Sequence, residues 1–591
     1  MKFAIRHLLA LMAISAAVLF VTVQTASAAQ SRPMGPGAGT PSVTYQLSVK
    51  LAGTSTGTVT SAPAGITCPS TCIASFSSGT TVTLSPTPGK GAYFAGWSAP
   101  CKGTGPCKIT MTANHLITAT FNLDQNSSVL NHIIFMAQEN RSLDQYFGAL
   151  RAYWKANGFA DRSFDGLPQF NPSSGLPPLY APPPTNLGCD PAFPPPADCT
   201  VDSSSPVVAS YHLITQCTEN TSPSWNESHE DWNLNNPLSA TPTLDGYVWT
   251  AAHDARNNVP PYYDTNGIRT MGYYDETDLN YYYFMASEFA TSDRWFSPAM
   301  TRTEPNRDYL IAATSGGYVY PIGTDSGDQS LLTAATIFQE LQTAGISWKI
   351  YVNTTNTACA SNPTPQCLLT LSYVQDFSWG QTIPTSYPNN IATMTTYFSD
   401  VQNGTLPQVA IVEPASSAGL DEHGSDSDQY PIDIQLGANY VSSLINALMT
   451  SVSWKDSAFI LTFDEGGGLY DHYAPQPAVS PDGIKPDDFL PGDICSQSTG
   501  ATCDFTYTGY RLPLIVVSPY AKQHYVSHTV MDYTAILRFI ENRFKLTPLN
   551  KRDAAQKSMA EFFNFNIPPW MTPPSPPAQL TNGACYLNQL P

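Results

Sequence analysis

The chain has 591 residues, 42% hydrophobic and 11% aromatic; that composition supplies a large buried core and excludes intrinsic disorder. Its 46 acidic and 27 basic residues leave a formal net charge of −19, which argues against a nucleic-acid backbone as partner, because duplex binding asks for a basic stripe. An anionic substrate is not excluded, since a bound metal inverts the local field.

The first 28 residues have the form of a secretory leader. Lys2 and Arg6 supply its charge, Leu8 to Val23 its apolar stretch, and Ala26-Ser27-Ala28 a small-residue cleavage site. The stretch is short for a membrane span, and no later segment is long and apolar enough to make one. A secreted chain, extracellular or periplasmic, without a transmembrane anchor is the expectation, and loss of the leader makes it two charges more acidic. Twelve cysteines in an exported chain imply disulfides. Close spacing pairs Cys189 with Cys199, Cys359 with Cys367 and Cys495 with Cys503. Cys68, Cys72, Cys101 and Cys107 pair among themselves in one of three ways, and Cys217 with Cys585 ties the tail to the body.

Residues 29–41 read as a Pro/Gly/Ser-rich linker. Over 42–123 short strand patterns alternate with turns: Tyr45–Val49, Gly57–Ser61, Thr81–Leu84 and Ile117–Phe121. Antiparallel strands are expected there. With Ala92–Ser98, Cys101 and Cys107 this segment resembles the internalin B-repeat-like modules of secreted bacterial surface proteins. The resemblance implies a spacer or adhesive unit, stapled because its core is small, with cell-surface or cell-wall contact as its role.

From about residue 129 the pattern turns β/α. Val129–Met136, Ser347–Val352, Gln408–Val412 and Leu512–Val517 read as buried strands, and Ser330–Gly345, Gly437–Ser451 and Met531–Leu546 as helices. Their alternation implies a mostly parallel sheet covered on both faces, so the fold class is α/β preceded by a small all-β module. A proline-rich insert occupies about 160–205. The catalytic domain is placed at 129–567 and a proline-rich tail at 568–591.

Four segments break the core pattern with polar groups. Ala458–Phe463 reads as a parallel strand, and it ends in Asp464-Glu465-Gly466-Gly467-Gly468, followed by Asp471-His472. Adjacent carboxylates at a strand end are costly to bury without a cation, and open α/β sheets bind ligands at such ends. The other three are Gln138-Glu139-Asn140-Arg141-Ser142, Thr303-Glu304-Pro305-Asn306-Arg307 in an expected loop, and Asp421-Glu422-His423. Asp426 and Asp428 beyond it alternate loosely like a calcium loop without its full pattern.

In this order, and with Ser518–Lys522, His528 and Ile540-Glu541 after them, these segments resemble the motifs of a bacterial phosphoesterase family that holds non-haemolytic phospholipases C and acid phosphatases. The resemblance spans roughly 129–550. It implies an alkaline-phosphatase-like α/β/α sandwich and metal-dependent hydrolysis of phosphate esters or phospholipids. It implies Glu139, Asn140, Asp464 and Glu465 as ligands of a divalent cation and Thr303 as nucleophile. Hard oxygen donors suit such a cation, which would activate a threonine hydroxyl. His423 is expected to bond phosphate or the metal shell, and His229 to protonate the leaving group. Asn306, Arg307 and His472 are the candidate substrate-binding residues, with pairing to carboxylates a second reading of Arg307 and of Arg141. His524 and His528 are expected to be structural.

The chain departs from the family pattern at Pro223, where a histidine is usual before Ser-Trp, at Gly424, where proline is usual, and at Arg294–Ser297. The thinner histidine set motivates an alternative, a catalytically degenerate surface-binding protein that uses the β module.

Overall fold

A computed structural model describes residues 43–89, 92–101, 105–123, 126–171, 182–323, 330–425 and 431–589. The expected leader and linker lie outside the described residues, as do Asp426, Asp428 and the middle of the 160–205 insert.

The N-terminal module is two four-stranded sheets. In one, Thr44–Ala52 lies between Ile73–Ser77 and His115–Leu123, and Ala92–Trp97 closes the far edge. Residues of alternating burial along these strands, Leu47, Val49, Ile117, Ala119 and Phe121 among them, face the second sheet and make a separate core. The expectation of antiparallel strands needs one correction. Thr44–Ala52 and His115–Leu123 run parallel, because the module's first and last strands are neighbours and the intervening chain provides the long crossover that parallel pairing requires.

The larger part is built on an eight-stranded sheet. Across it run Ile391–Thr393, Trp348–Val352, Val409–Val412, His132–Gln138, Ser457–Phe463, Ile515–Val517, Ala290–Ser292 and Tyr525–Ser527. Only Ile515–Val517 is antiparallel to its neighbours, so the sheet is mostly parallel. Its central strands are apolar on both faces; all seven residues of Ser457–Phe463 are buried, as expected where helices cover both sides. Helices Asn280–Glu288, Met394–Asn403 and Ile434–Met449 pack as one group, and Thr303–Ala312, Ile337–Thr343 and Thr534–Phe544 as another. The result is an α/β/α sandwich.

Local capping moves several boundaries. The helix expected from Ser330 is confined to Ile337–Thr343, because Thr336 caps it by accepting the Gln339 N–H. Asp433 caps Ile434–Met449 three residues before the expected start. Thr303–Arg307 is no loop. It forms the first turn and a half of helix Thr303–Ala312, and Pro305 is tolerated there because first-turn N–H groups have no intrahelical acceptor.

All six disulfides pair as expected, the module resolving to Cys68–Cys72 and Cys101–Cys107. Cys217–Cys585 links residues 368 apart, and the tail is further held by Trp454 Nε1 donating to the Trp570 carbonyl at 2.8 Å. No helix among the described residues is long and apolar enough to cross a membrane.

Candidate active site

Three adjacent parallel strands deliver acidic residues to one edge of the sheet. His132–Gln138 runs into Glu139-Asn140, Ser457–Phe463 into Asp464-Glu465, and Val409–Val412 into Glu413. All five are buried. Asn140 takes a left-handed backbone, φ 56°, a conformation asparagine tolerates better than most residues. Its N–H donates to Asp464 Oδ1 at 2.9 Å, which stitches the two strand ends together. The glycine turn is needed for the same closeness. Gly467 has φ +68°, and a Cβ there would lie 2.4 Å from the Asn140 carbonyl oxygen.

Thr303 stands at the first position of its helix. Its Oγ1 is 3.3 Å from Glu139 Oε2 and 3.3 Å from Asn140 Oδ1. The positive end of the helix dipole and the unpaired N–H groups of the first turn favour an anion at this point. Asn306 fixes the approach to the turn rather than a ligand: its Oδ1 accepts the Ala299 N–H, and its Nδ2 donates to the Ala299, Thr301 and Arg302 carbonyls. Those bonds use all its polar atoms, so the substrate-binding role expected of it is replaced by holding the segment before Thr303.

Arg307, one helical turn after Thr303, is 2% exposed. Its Nη2 donates to Glu139 Oε1 at 2.6 Å, and its Nε lies 3.3 Å from Asp464 Oδ2. The guanidinium also covers the Tyr373 ring at 4.7 Å. Pairing with carboxylates, the second reading of Arg307, is what its geometry supports; a substrate-binding role is not. Burial pushes the Glu139 carboxyl up, Arg307 opposes that, and the Asp464 carboxylate adds to it, leaving Glu139 well above the usual range. Burial and the neighbouring Asp464 likewise raise Glu465.

A divalent cation fits this donor set on two grounds. Glu465 Oε1 is buried without a hydrogen-bond partner, and Asp464 Oδ2 makes no hydrogen bond beyond its ion-pair contact with Arg307 Nε; buried polar atoms rarely go unserved. Fully ionised, Glu139, Asp464 and Glu465 would carry three negative charges against the single positive charge of Arg307, a shortfall of two that a divalent cation would fill and that the raised carboxyls of Glu139 and Glu465 reflect. Among the described residues the trios whose ligand atoms all lie within 4.8 Å of one another are elsewhere: the disulfide pair Cys217 and Cys585 with Asp433; Asp144, Asp471 and His472; and His212, Asp275 and Asp278. The Glu139, Asp464 and Glu465 oxygens stand farther apart than in those trios.

The expected histidines divide. His229 is fully buried, with Nδ1 2.6 Å from the Trp225 carbonyl and Nε2 3.3 Å from that of Thr502. Burial lowers it to about 4, so near neutral pH the ring carries a single N–H, enclosed among main-chain carbonyls, and this geometry does not support the expected leaving-group acid. His229→Gln is therefore expected to keep kcat/KM within about tenfold, where loss of a general acid removes on the order of 10²–10⁴; a steady-state assay of the variant decides. His472, expected to bind substrate, is held between carboxylates. Its Nδ1 is 2.6 Å from Asp144 and its Nε2 3.2 Å from Asp165, with Arg511 bonded to Asp471 beside it. Burial works against its charge, the Asp144 carboxylate more than offsets that, and the imidazole is raised to about 9. Its stabilisation is present in full below about pH 6.5 and is lost as pH rises through about 9, up to roughly 3 kcal/mol. Chemical denaturation between pH 6 and 10 should show that loss in the wild type and less of it in His472→Gln.

His423 is half-buried, with Nδ1 2.6 Å from the Gly424 carbonyl. Its segment joins the site through the Glu139 N–H, which donates to the Asp421 carbonyl at 2.9 Å. Glu422 faces away, accepting the Tyr282 and Tyr146 hydroxyls. Arg141 donates to the Glu422 carbonyl and to Thr218. His524 is structural as expected, its ring set between the Ser287 and Ala160 carbonyls.

Tyr373 and Glu413 were not legible as site residues, although Glu413 repeats the pattern of a strand ending in an acid. The Tyr373 hydroxyl is 3.5 Å from Glu139 Oε1, and Glu413 Oε2 is buried without a partner. Tyr373, Ser372, Asn353 and Pro414 line an open cavity of about 210 Å³ at the carboxyl ends of the strands.

The fold and this site define a phosphoric ester hydrolase of the α/β class. The chain belongs to the Phosphoesterase family, which it matches over residues 130–547; residues 47–125 match the divergent InlB B-repeat domain. Phospholipase C A of Mycobacterium tuberculosis (strain ATCC 25618 / H37Rv) is 27% identical over 516 residues, covering 82% of this chain and 85% of that protein. Phospholipase C B of the same strain is 29% identical over 471 residues, 74% of this chain and 78% of that one. Non-hemolytic phospholipase C of Pseudomonas aeruginosa is 26% identical over 472 residues, 75% of this chain and 58% of its own length. A solved protein of the alkaline phosphatase superfamily from Vibrio parahaemolyticus is 11% identical and covers 47% of this chain and 64% of its own, with a TM-score of 0.27.

Proposed function

We propose that the chain is an exported, cation-dependent phosphoesterase that hydrolyses phospholipid-type phosphate esters through a phosphothreonine at Thr303. The observation that carries this is the position of the Thr303 hydroxyl, 3.3 Å from both Glu139 and Asn140, at a helix N-terminus beside a pocket two positive charges short. Glu139, Asn140, Asp464 and Glu465 would hold the cation. When bound, it would lower the hydroxyl pKa and offset charge on the phosphoryl oxygens.

Thr303 Oγ1 attacks phosphorus, the bond to the leaving oxygen breaks, and that oxygen takes up a proton. A water then attacks this phosphorylated threonine, the phosphomonoester that keeps the substrate's second ester group (phosphorylcholine, for a choline ester) departs, and Thr303 regains its proton. The N–H groups opening helix Thr303–Ala312 orient the phosphoryl oxygens, Arg307 keeps Glu139 and Asp464 in place, and His423 hydrogen-bonds the phosphate or the shell of the cation. Export agrees with six disulfides and no free cysteine among the described residues. The substrate class follows the names of the relatives, with the cavity beside Tyr373 as the space for the ester's remaining group.

The test is turnover of p-nitrophenyl phosphate and p-nitrophenyl phosphorylcholine by the oxidised protein before and after stripping with chelator. Faster turnover of the phosphorylcholine ester, lost on stripping and restored by a divalent cation, is expected. Turnover that survives stripping would contradict the cation; no turnover of either ester, with no cation bound, would favour a degenerate binding protein.

A further inference from the structure

Helix Trp225–Trp232 sends His229 into the core and brings Asp231 to the other side of the acidic site. Asp231 is 1% exposed. Its Oδ1 accepts the Thr250 hydroxyl at 2.7 Å, and its Oδ2 is buried without a partner. Glu465 is in a matching state: Oε2 accepts the Gly467 N–H at 2.6 Å, and Oε1 is buried without a partner. The two residues line the same small cavity, about 10 Å³, together with Ser297, Tyr510 and the Gly466 turn. That is room for one water, and a polar void of this size between unserved oxygens is where ordered water is found.

We propose that Asp231 is a positioning residue for Glu465, acting through a single water held in this cavity. Asp231 Oδ2 carries a proton and donates it in a hydrogen bond to the water, and the water donates to Glu465 Oε1. This serves both orphaned oxygens and fixes the carboxylate that the proposed function makes a cation ligand, on which reading the inference rests. The surroundings of Asp231 favour its neutral form. Thr250 and Tyr247 face it from helix Tyr247–Asn257, Tyr510 and Glu465 from across the cavity, and Glu227 and Glu230 from its own helix. Burial raises Asp231 well above the usual carboxylate range, the Thr250 bond opposes that, and Glu230 and Glu227 add to it. Outer partners of this kind orient metal ligands, and their loss weakens affinity.

The test uses the full oxidised chain stripped with chelator, titrated calorimetrically with Zn²⁺, Mg²⁺ and Ca²⁺ in separate runs. Asp231→Asn keeps an acceptor for Thr250 and a donor for the water, so its affinity should stay within about threefold of wild type. Asp231→Leu should bind about 10–100-fold more weakly. Should Asp231→Leu not fold, Thr250→Val, which frees the Asp231 side chain, should show the same loss at smaller size. Wild-type affinity in Asp231→Leu, or in Thr250→Val where that variant replaces it, would overturn the inference alone. If the wild type takes up none of the ions, the cation reading fails, and the bridge is judged in the stripped protein by denaturation midpoints of Asp231→Leu (or Thr250→Val in its place), Glu465→Leu and the double variant, since each of these removes or frees one end of the bridge. Non-additive shifts uphold the bridge; additive shifts overturn it.

Discussion

Replacing Thr303 by alanine is expected to lower kcat by on the order of 10⁴–10⁶-fold without unfolding the protein. The hydroxyl makes only two long contacts, each 3.3 Å, and alanine suits the first turn of a helix, so structure loses little. Chemistry loses the attacking atom. Thr303→Ser restores an oxygen at the same position and should recover activity to within about 10²-fold of wild type, a difference no loss of packing would produce. Steady-state kinetics of the two variants, with circular dichroism as the control for folding, separate these outcomes. Near-wild-type turnover in Thr303→Ala would remove the nucleophile from the account.

Arg307→Met carries the largest expected effect on stability. The arginine is the only cation that pairs directly with Glu139 and Asp464 among the described residues. Methionine fills similar space and leaves two buried carboxylates facing each other. Breaking such a pair from one side costs about 3–5 kcal/mol, and the effect should show in the urea midpoint of protein stripped with chelator. A saturating divalent cation should return part of it, because anything that binds only the native state stabilises it. An unchanged midpoint would mean that the carboxylates are already protonated and that Arg307 offsets no charge.

The sandwich and the strand ends were legible because the physics that makes them is local. The largely apolar run Ala458–Phe463 before Asp464 reads as a buried parallel strand, and a strand buried over its whole length is what forms. Three cysteine pairings were legible because short spacings leave few alternatives, and Cys217–Cys585 followed as the remainder, whereas the four cysteines of the module stayed open among three connectivities until the fold placed them. Helix limits were less so: Thr336 and Asp433 act as caps through single hydrogen bonds, and nothing in the apolar periodicity marks them. The roles of side chains around the core of the site were least legible. Arg307 and His472 sit beside the right motifs, yet each is spent on carboxylates brought from strands and loops far away in sequence. His229 follows the pattern of a catalytic histidine, and its ring nevertheless lies between two carbonyls. Tyr373 and Asp231 carry no motif at all; only the fold puts one against Glu139 and the other on the cavity it shares with Glu465.

The claim on which the account depends is that phosphorus passes through Thr303. The direct measurement is to mix enzyme and p-nitrophenyl phosphorylcholine, quench with acid during turnover, and map the phosphorylated peptide by mass spectrometry. A phosphorylcholine group is expected on the peptide that contains Thr303, present in the wild type and missing from Thr303→Ala. Full turnover with unmodified Thr303, or with the phosphorylcholine group on another residue, would contradict it.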